Sequence, residues 1–407
     1  MFVVRNIAEI CTGPAGPTPL NGELPITRHR NSAIGIEGNT IAWIREDDPT
    51  NWPTDAKIID ANQGCVIPGL IDCHTHTVFA GTREDEYVQR AQGLSYAEIA
   101  RRGGGIKNSV DAVRECRVEQ LVELALPRLQ RMLALGVTTV EIKSGYGLTV
   151  KDELKMLHAV KRLNELQPIE LVGTYLAAHT TPREFEGNPD GYLDTVLDRK
   201  VLDQIREEGL AEFADVFCET TAFNIEQSKR FLTTCADAGL TPRVHADQIT
   251  QIGASKLAAQ VGASSADHLE RIDDESISAM RDAGTIAVLL PACSFYLGVE
   301  QAPARRIIDA GLPVAIATDF NPGSSVVESL PLTMSIACSQ MGMTPAQTLI
   351  ATTTNAAAVL KRENKIGAIK EGMQADLTIL DVPTIEQMCY FAGRNCTQTV
   401  IKAGRAV

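Results

Sequence analysis

The chain has 407 residues, 44% of them hydrophobic, and its 38 Lys plus Arg against 51 Asp plus Glu give a formal charge of −13. That length can bury a large core, as two domains or as one large barrel with an appendage, and no stretch concentrates the basic residues a nucleic-acid surface requires. No segment approaches the roughly eighteen apolar residues of a membrane span, MFVVRNIAEICTG has no basic leader before an apolar core, and ten cysteines lie scattered without a CxxC pair, so a soluble cytoplasmic protein with mostly buried thiols is expected.

Residues 1–66 contain alternating stretches such as SAIGIEGNTIAWIRE, and 365–407 contain IGAIKEGMQADLTILDV and CTQTVIKAGRAV, short strands separated by Gly-bearing turns. Neither flank has enough strands to stand alone. The two ends are therefore expected to pair into one composite β-sandwich beside a central unit spanning 67–364.

The central unit opens with PGLIDCHTHTVFAGTRED, residues 68–85. Val66, Ile67, Leu70 and Ile71 read as one short buried strand, and His74 and His76, two apart on extended chain at its end, point the same way. Such a pair offers two imidazoles to one metal ion; a solvated pair in a loop is the plain alternative. A long excursion over 75–135 follows, containing RRGGGIKNSV. This lacks the GxxxxGK[ST] spacing of a phosphate loop and reads as a lid or a turn.

Seven more apolar, β-rich runs come next, at 136–147, 169–179, 214–219, 241–247, 264–269, 285–291 and 312–320. Between them lie segments of helical period such as 149–166, where Leu154, Leu157, Val160 and Leu166 form a stripe. Eight strand and helix units with nearly continuous apolar strands predict a (β/α)8 barrel of the TIM type, an α/β fold. A doubly wound open sheet is the alternative; no GxGxxG turn follows any strand, and polar residues fall at strand ends throughout the series, not at one switch point.

In a barrel those ends ring one mouth. They carry His74, His76, Tyr146, His179, Glu219, His245, His268 and Asp319, which is five of the seven histidines. His29, in an N-terminal loop, and His158, on the striped helix, have ordinary solvated or packed readings. Imidazoles with a carboxylate suit Zn2+, and Fe2+ is equally compatible.

PGLIDCHTH, a histidine on the fifth strand, DH on the sixth, TD on the eighth and the tail NAAAVL...GAIKEGMQADLTIL together resemble the amidohydrolase superfamily over nearly the whole chain. DCHTHTVFAGTR, GGGI, EIKSGYGL, LAAHTTP, HADQ and TDFNPGSS are more closely similar to the branch that opens the imidazolone ring of 4-imidazolone-5-propanoate, giving N-formimino-L-glutamate in histidine breakdown. The resemblance implies a single Zn2+ or Fe2+ per subunit on His74, His76, His245 and Asp319, with Arg83, Tyr146, His179, Gln248, Asn321, Gly323 and Ser324 holding substrate or product, in a homodimer. The residues themselves read the same way: a metal-activated water is expected to attack the ring carbonyl, Asp319 to take its proton and return it to the departing ring nitrogen, and His268 to stabilise the oxyanion. Arg83 is the expected partner of the propionate, its plain alternative being a surface pair with Glu84 or Asp85.

Two departures matter. A second metal in this superfamily usually needs a lysine on the fourth strand, where ADVFCE has none; Lys143 belongs to the second. Some members have glutamate where this chain has Gln248, and an amide can only orient the ring, which leaves proton transfer to Asp319 and His268, or to Glu219 if that residue is not merely capping its strand. A deaminase of a nucleobase would use similar ligands, with a pocket built for an aromatic base. A non-catalytic scaffold would have lost ligands, and here all four are present.

Overall fold

In the computed structural model, which describes residues 1–94, 98 and 104–407, Gly69 divides what reads as one strand in the sequence. Cys65–Pro68 pairs with Leu377–Leu380 and Glu9–Thr12, whereas β1 (Leu70–Asp72) pairs with β2 (Val137–Lys143). The expected single strand through Val66, Ile67, Leu70 and Ile71 is thus two strands in two sheets. Gly69 sits at the crossing because the chain passes hard against Thr138: a Cβ there would lie 2.3 Å from the Thr138 hydroxyl.

The strands of the chain ends form two sheets. One joins Thr40–Glu46, Ser32–Glu37, Phe2–Arg5 and Lys57–Asp60; the other joins Arg405–Ala406, Thr397–Lys402, Leu377–Leu380, Cys65–Pro68, Glu9–Thr12 and Thr27–His29. Ile34, Ile36 and Val4 from the first pack with Ile10, Leu377, Ile379 and Ile401 from the second in one buried cluster, each side chain contributing about 1.5–3 kcal/mol of burial. The named strands of the C-terminal segment lie in the six-stranded sheet, while Gln374 bridges to Thr40 on the edge of the other; His29 lies on an edge strand of the six-stranded sheet, not in a loop.

Between the flanks, β1 and β2 continue into β3 (Glu170–Ala178), β4 (Phe213–Cys218), β5 (Thr241–Ala246), β6 (Ser265–His268), β7 (Ile286–Leu289) and β8 (Val314–Ile316). All eight are parallel, in sequence order, with helices between successive strands. Closure from β8 back to β1 is made by the Thr75 and Phe320 bridge, by Asp319 N–H donating to the His74 carbonyl at 3.1 Å, and by Thr318 N–H donating to Asp72 at 3.0 Å. The strand extents follow the sequence reading closely except at β2, where the run read to 147 ends at Lys143, and at β8. It stops at Ile316, and Asp319 has turned to φ 52°, a left-handed conformation no strand ladder accepts.

The 75–135 excursion contains α1 (Glu84–Ala91), α2 (Ile106–Glu115) and α3 (Val118–Ala134). Of RRGGGIKNSV, Arg101, Arg102 and Gly103 lie outside the described residues. In α4 (Val150–Leu166) the buried stripe runs through Met156, Leu157, Val160 and Leu163; Leu166, assigned to it from sequence, is the last residue of the helix and 45% exposed.

Candidate active site

At the C-terminal mouth of the barrel, His74 and His76 both bring Nε2 to 3.5 Å from Asp319 Oδ1. His245, at the end of β5, brings its ring centroid to 4.6 Å from that of His74. One ligand atom each from His74, His76 and Asp319 lies within 4.8 Å of the others, and the same holds for His74, His245 and His268. All five are buried. Burial, reinforced for His74 by Lys143 and for His76 by His179, holds both imidazoles well below their usual pKa, so they are neutral and keep a lone pair.

His74 Nε2 and His245 Nε2 have no hydrogen-bond partner among the described residues. A buried polar atom left so costs about 1–3 kcal/mol, and a cation among these nitrogens removes that cost. The donor set of imidazoles and one carboxylate fits Zn2+ or Fe2+. His268 and Asp319 carry φ of 82° and 52°. Such conformations cost about 1–3 kcal/mol each and persist where surrounding structure over-determines them.

Beneath the mouth the barrel interior is charged. Glu141, Lys143, Asp215, Arg243 and Asp267 are wholly inaccessible to solvent. Lys143 Nζ lies 2.8 Å from both Glu141 and Asp215, and Arg243 Nη2 lies 2.7 Å from Asp267. Two of these acids reach the ligands from behind: Asp267 Oδ2 is 2.6 Å from His74 Nδ1, and Asp215 Oδ2 is 3.0 Å from His245 Nδ1. A carboxylate at Nδ1 makes that nitrogen the protonated one and turns the Nε2 lone pair toward the cavity. The expectation of nearly continuous apolar strands is corrected here. Val140, Ile142, Val216, Val244 and Ala266 join the apolar cluster shared with the helices, while Glu141, Lys143, Asp215, Arg243 and Asp267 beside them are buried and ionic.

The cavity above, about 80 Å³, is lined by His76, Arg83, Tyr146, His179, His245, Gln248, His268, Asp319, Asn321 and Ser324. Ile106 and Phe217 supply its apolar wall. Most of the residues named from the sequence therefore meet in one concavity. His179 Nδ1 lies 2.9 Å from the Gly145 carbonyl, so that nitrogen carries the proton; burial lowers its pKa to about 3, and the ring is neutral. Burial pulls the His268 pKa down, but Glu270, Asp319 and Asp267 outweigh it and raise the value above the ordinary one, as suits a hydrogen-bond donor.

Arg83 is nearly buried and pairs with Glu86, Nε at 2.9 Å and Nη2 at 2.6 Å, not with Glu84 or Asp85. The second oxygen of Glu86 accepts from Gly105 N–H at 2.9 Å and Asn108 Nδ2 at 3.1 Å, which fixes the arginine to the start of α2. Gly323 is not a cavity wall itself. It makes room for the guanidinium: a Cβ there would stand 2.0 Å from Arg83 Nη1. Asn321 spends its side chain on its own turn, accepting from Gly323 N–H at 2.9 Å and Ser324 N–H at 2.8 Å and donating to the Asp319 carbonyl at 2.6 Å.

Glu219 serves as a brace. One carboxylate oxygen accepts from Ile249 and Thr250 N–H, each at 3.0 Å, and the other from Thr220 N–H at 2.8 Å and from the Thr250 hydroxyl. Its lone pairs are occupied in holding the loop that presents Gln248, so proton transfer from this residue has no geometric support. Glu153, unremarked in the sequence, does the same for the Tyr146 loop, accepting from Gly145, Gly147 and Leu148 N–H at 2.7–2.9 Å. Cys293 was also passed over; its sulfur lies within 4.8 Å of ligand atoms of Asp319 and His268. Of Glu141, Lys143, Asp215, Arg243 and Asp267, Arg243 alone stands two residues before a strand-end histidine, His245.

The Amidohydrolase family model matches residues 65–407. Imidazolonepropionase from Geobacillus kaustophilus is 47% identical over 382 residues, covering 93% of this chain and 90% of that protein. Among solved structures, 5-methylcytosine deaminase from Klebsiella pneumoniae superposes with a TM-score of 0.75 at 16% identity, over 100% of this chain and 97% of that one. Atrazine chlorohydrolase TrzN from Arthrobacter aurescens, complexed with zinc, gives 0.69 at 17% identity, over 100% and 95%. At those identities the structural likeness speaks for the fold alone.

Proposed function

Since the chain belongs to the amidohydrolase family, and within it to the imidazolonepropionases, we infer that it hydrolyses 4-imidazolone-5-propanoate to N-formimino-L-glutamate in histidine degradation. The observation that carries the substrate assignment is that the Arg83 guanidinium lines the same cavity as the histidine and aspartate cluster. A nucleobase offers no carboxylate to such a group; the propionate arm does.

His74, His76, His245 and Asp319 are proposed to hold one divalent ion, Zn2+ or Fe2+ on ligand chemistry. Bound there, the ion supplies Lewis acidity, making water nucleophilic near neutral pH. The chain's own groups do the rest. Arg83 grips the carboxylate; Tyr146 and the neutral His179 flank the ring; Gln248, Asn321 and Ser324 shape the far wall, and Gly323 leaves room for the arginine that binds the arm. Asp319 is proposed to accept the proton of the attacking water and return it to the departing ring nitrogen, while His268 donates to the oxygen that gains charge at the attacked carbon. Gln248 has no basic atom and can only orient the ring.

We further propose that residues 1–66 and 365–407 form one β-sandwich domain beside a barrel domain of 67–364. We place the enzyme in the cytoplasm as a homodimer acting on a free small molecule, with no nucleic-acid or membrane partner. No helix among the described residues is long and apolar enough to cross a membrane. The test is metal analysis of the purified protein together with turnover of imidazolonepropanoate, cytosine and guanine. Ring opening of the first alone is expected; deamination of a base with no action on the imidazolone would overturn the assignment.

A further inference from the structure

The inward faces of β2, β4, β5 and β6 repeat one arrangement twice. Asp267 places a single oxygen between a metal-facing histidine and a buried base: Oδ2 is 2.6 Å from His74 Nδ1 and 2.7 Å from Arg243 Nη2. Asp215 does likewise, its Oδ2 lying 3.0 Å from His245 Nδ1 and 2.8 Å from Lys143 Nζ. The bases are themselves fixed. Arg243 Nε donates to Ser265 Oγ at 3.0 Å, and Lys143 Nζ donates to Glu141 at 2.8 Å.

We propose that Arg243 and Lys143 are positioning residues of the metal centre, which through Asp267 and Asp215 set the ring planes and tautomers of His74 and His245. This rests on the metal reading above. Ion pairs serving the barrel core alone could join acid to base anywhere in the interior. Here both acids put the shared oxygen on the rear nitrogen of a ligand, so each carboxylate is gripped from one side by a cation and from the other by an imidazole. A carboxylate with two fixed partners has one orientation, and so has the ring bound to it. With its cation removed, Asp267 keeps the imidazole and the longer 3.9 Å approach of Lys143, and Asp215 keeps the imidazole and the His245 backbone N–H at 3.1 Å; the shared oxygen loses its closest charged anchor, and a ring that turns about its Cβ–Cγ bond no longer aims Nε2 into the cavity.

The fork of Arg243 matters as well as its charge. It meets Ser265 through Nε and Asp267 through Nη2, two contacts from one plane, which an ammonium cannot reproduce. Arg243 also lies two residues before His245 on β5, and Lys143 ends β2, so both supports are built into strands that carry or flank the site.

The experiment measures Zn2+ and Co2+ binding on stripped protein, with wild type, Arg243→Met, Arg243→Lys and Lys143→Met compared. Zn2+ affinity is read by competition with a chromophoric chelator, ligand geometry by the visible bands of the Co2+ form, and core integrity by the thermal midpoint of the stripped protein. Both Met variants are expected to bind Zn2+ about 10–100-fold more weakly and to alter the Co2+ bands, with Arg243→Lys falling between. A role in the core alone would lower the stripped protein's midpoint while leaving Zn2+ affinity and Co2+ bands as in wild type, and that result would overturn the proposal. If Arg243→Met does not fold, Arg243→Lys and Lys143→Met decide it by the same readouts. Wild-type protein that takes up neither ion sinks the metal reading, and this inference with it. Wild-type protein that binds Zn2+ yet leaves the imidazolone intact sinks only the substrate assignment, because turnover enters none of these titrations.

Discussion

Arg83 lines the cavity while a neighbouring acid fixes its guanidinium. Glu86 holds it through Nε and Nη2, while its Nη1 faces the bare edge of Gly323 on the cavity side. Removing the guanidinium by Arg83→Ala should leave the substrate carboxylate poorly paired, at a cost of roughly 2–5 kcal/mol, and should leave Glu86 unbalanced as well. Because the arm does not react, the loss belongs mainly in KM. Arg83→Lys should rescue poorly, since a point charge cannot satisfy Glu86 and a carboxylate in one plane. Wild type should strongly prefer imidazolonepropanoate over an imidazolone lacking the carboxylate, and the alanine variant hardly at all; an unchanged preference would assign the arm elsewhere. For the ligands, His74→Ala and Asp319→Asn should abolish turnover and lower bound metal while the barrel stays folded. A variant keeping both metal and activity would remove its residue from the set.

Loops at this mouth are rigid because single carboxylates gather their backbone N–H groups. Glu153 reaches back from the first turn of α4 to three amides of residues 145–148. Glu153→Ala should leave those buried donors unsatisfied, costing about 1–3 kcal/mol for each that water does not reach. A lower thermal midpoint and a raised KM should accompany each other as the Tyr146 loop loosens; a raised KM at an unchanged midpoint would mean that Glu153 acts otherwise. In the sequence, Glu153 reads only as an acid in a first helical turn, where acids are ordinary. Strand ends, by contrast, were legible: five histidines and Asp319 follow apolar runs, and barrel closure converges such ends wherever they fall in the chain. The charged inner layer was not, because strands of a parallel barrel are expected to be apolar on both faces. Glu141, Lys143 and Arg243 acquire their meaning from partners on neighbouring strands, which one strand's sequence does not contain. The Gly69 crossing was hidden for a related reason, since both sheets demand the same apolar residues.

At the scale of the whole chain, the ligands sit on strand ends whose lower portions are held by an ionic layer and by helices packed outside. Chelation should therefore inactivate the protein without unfolding it, and Zn2+ or Fe2+ should restore turnover with little change in helical circular dichroism. The ion adds stability by mass action, about 2.7 kcal/mol at a free concentration a hundredfold above its Kd. An unfolded metal-free protein would mark the ion as structural. The sheet passing through Cys65–Pro68 has a further consequence, for the order of events during synthesis. That strand's neighbour Leu377–Leu380 is made some three hundred residues later, which at about 5–20 residues per second is a delay of roughly 15–60 s. Throughout that interval the nascent chain presents an apolar strand with one ladder edge open, directly ahead of the segment bearing His74 and His76. Ribosome-bound chains that end before Leu377 should be cut by added protease within the first seventy residues, and chains extended past Lys402 should be protected there.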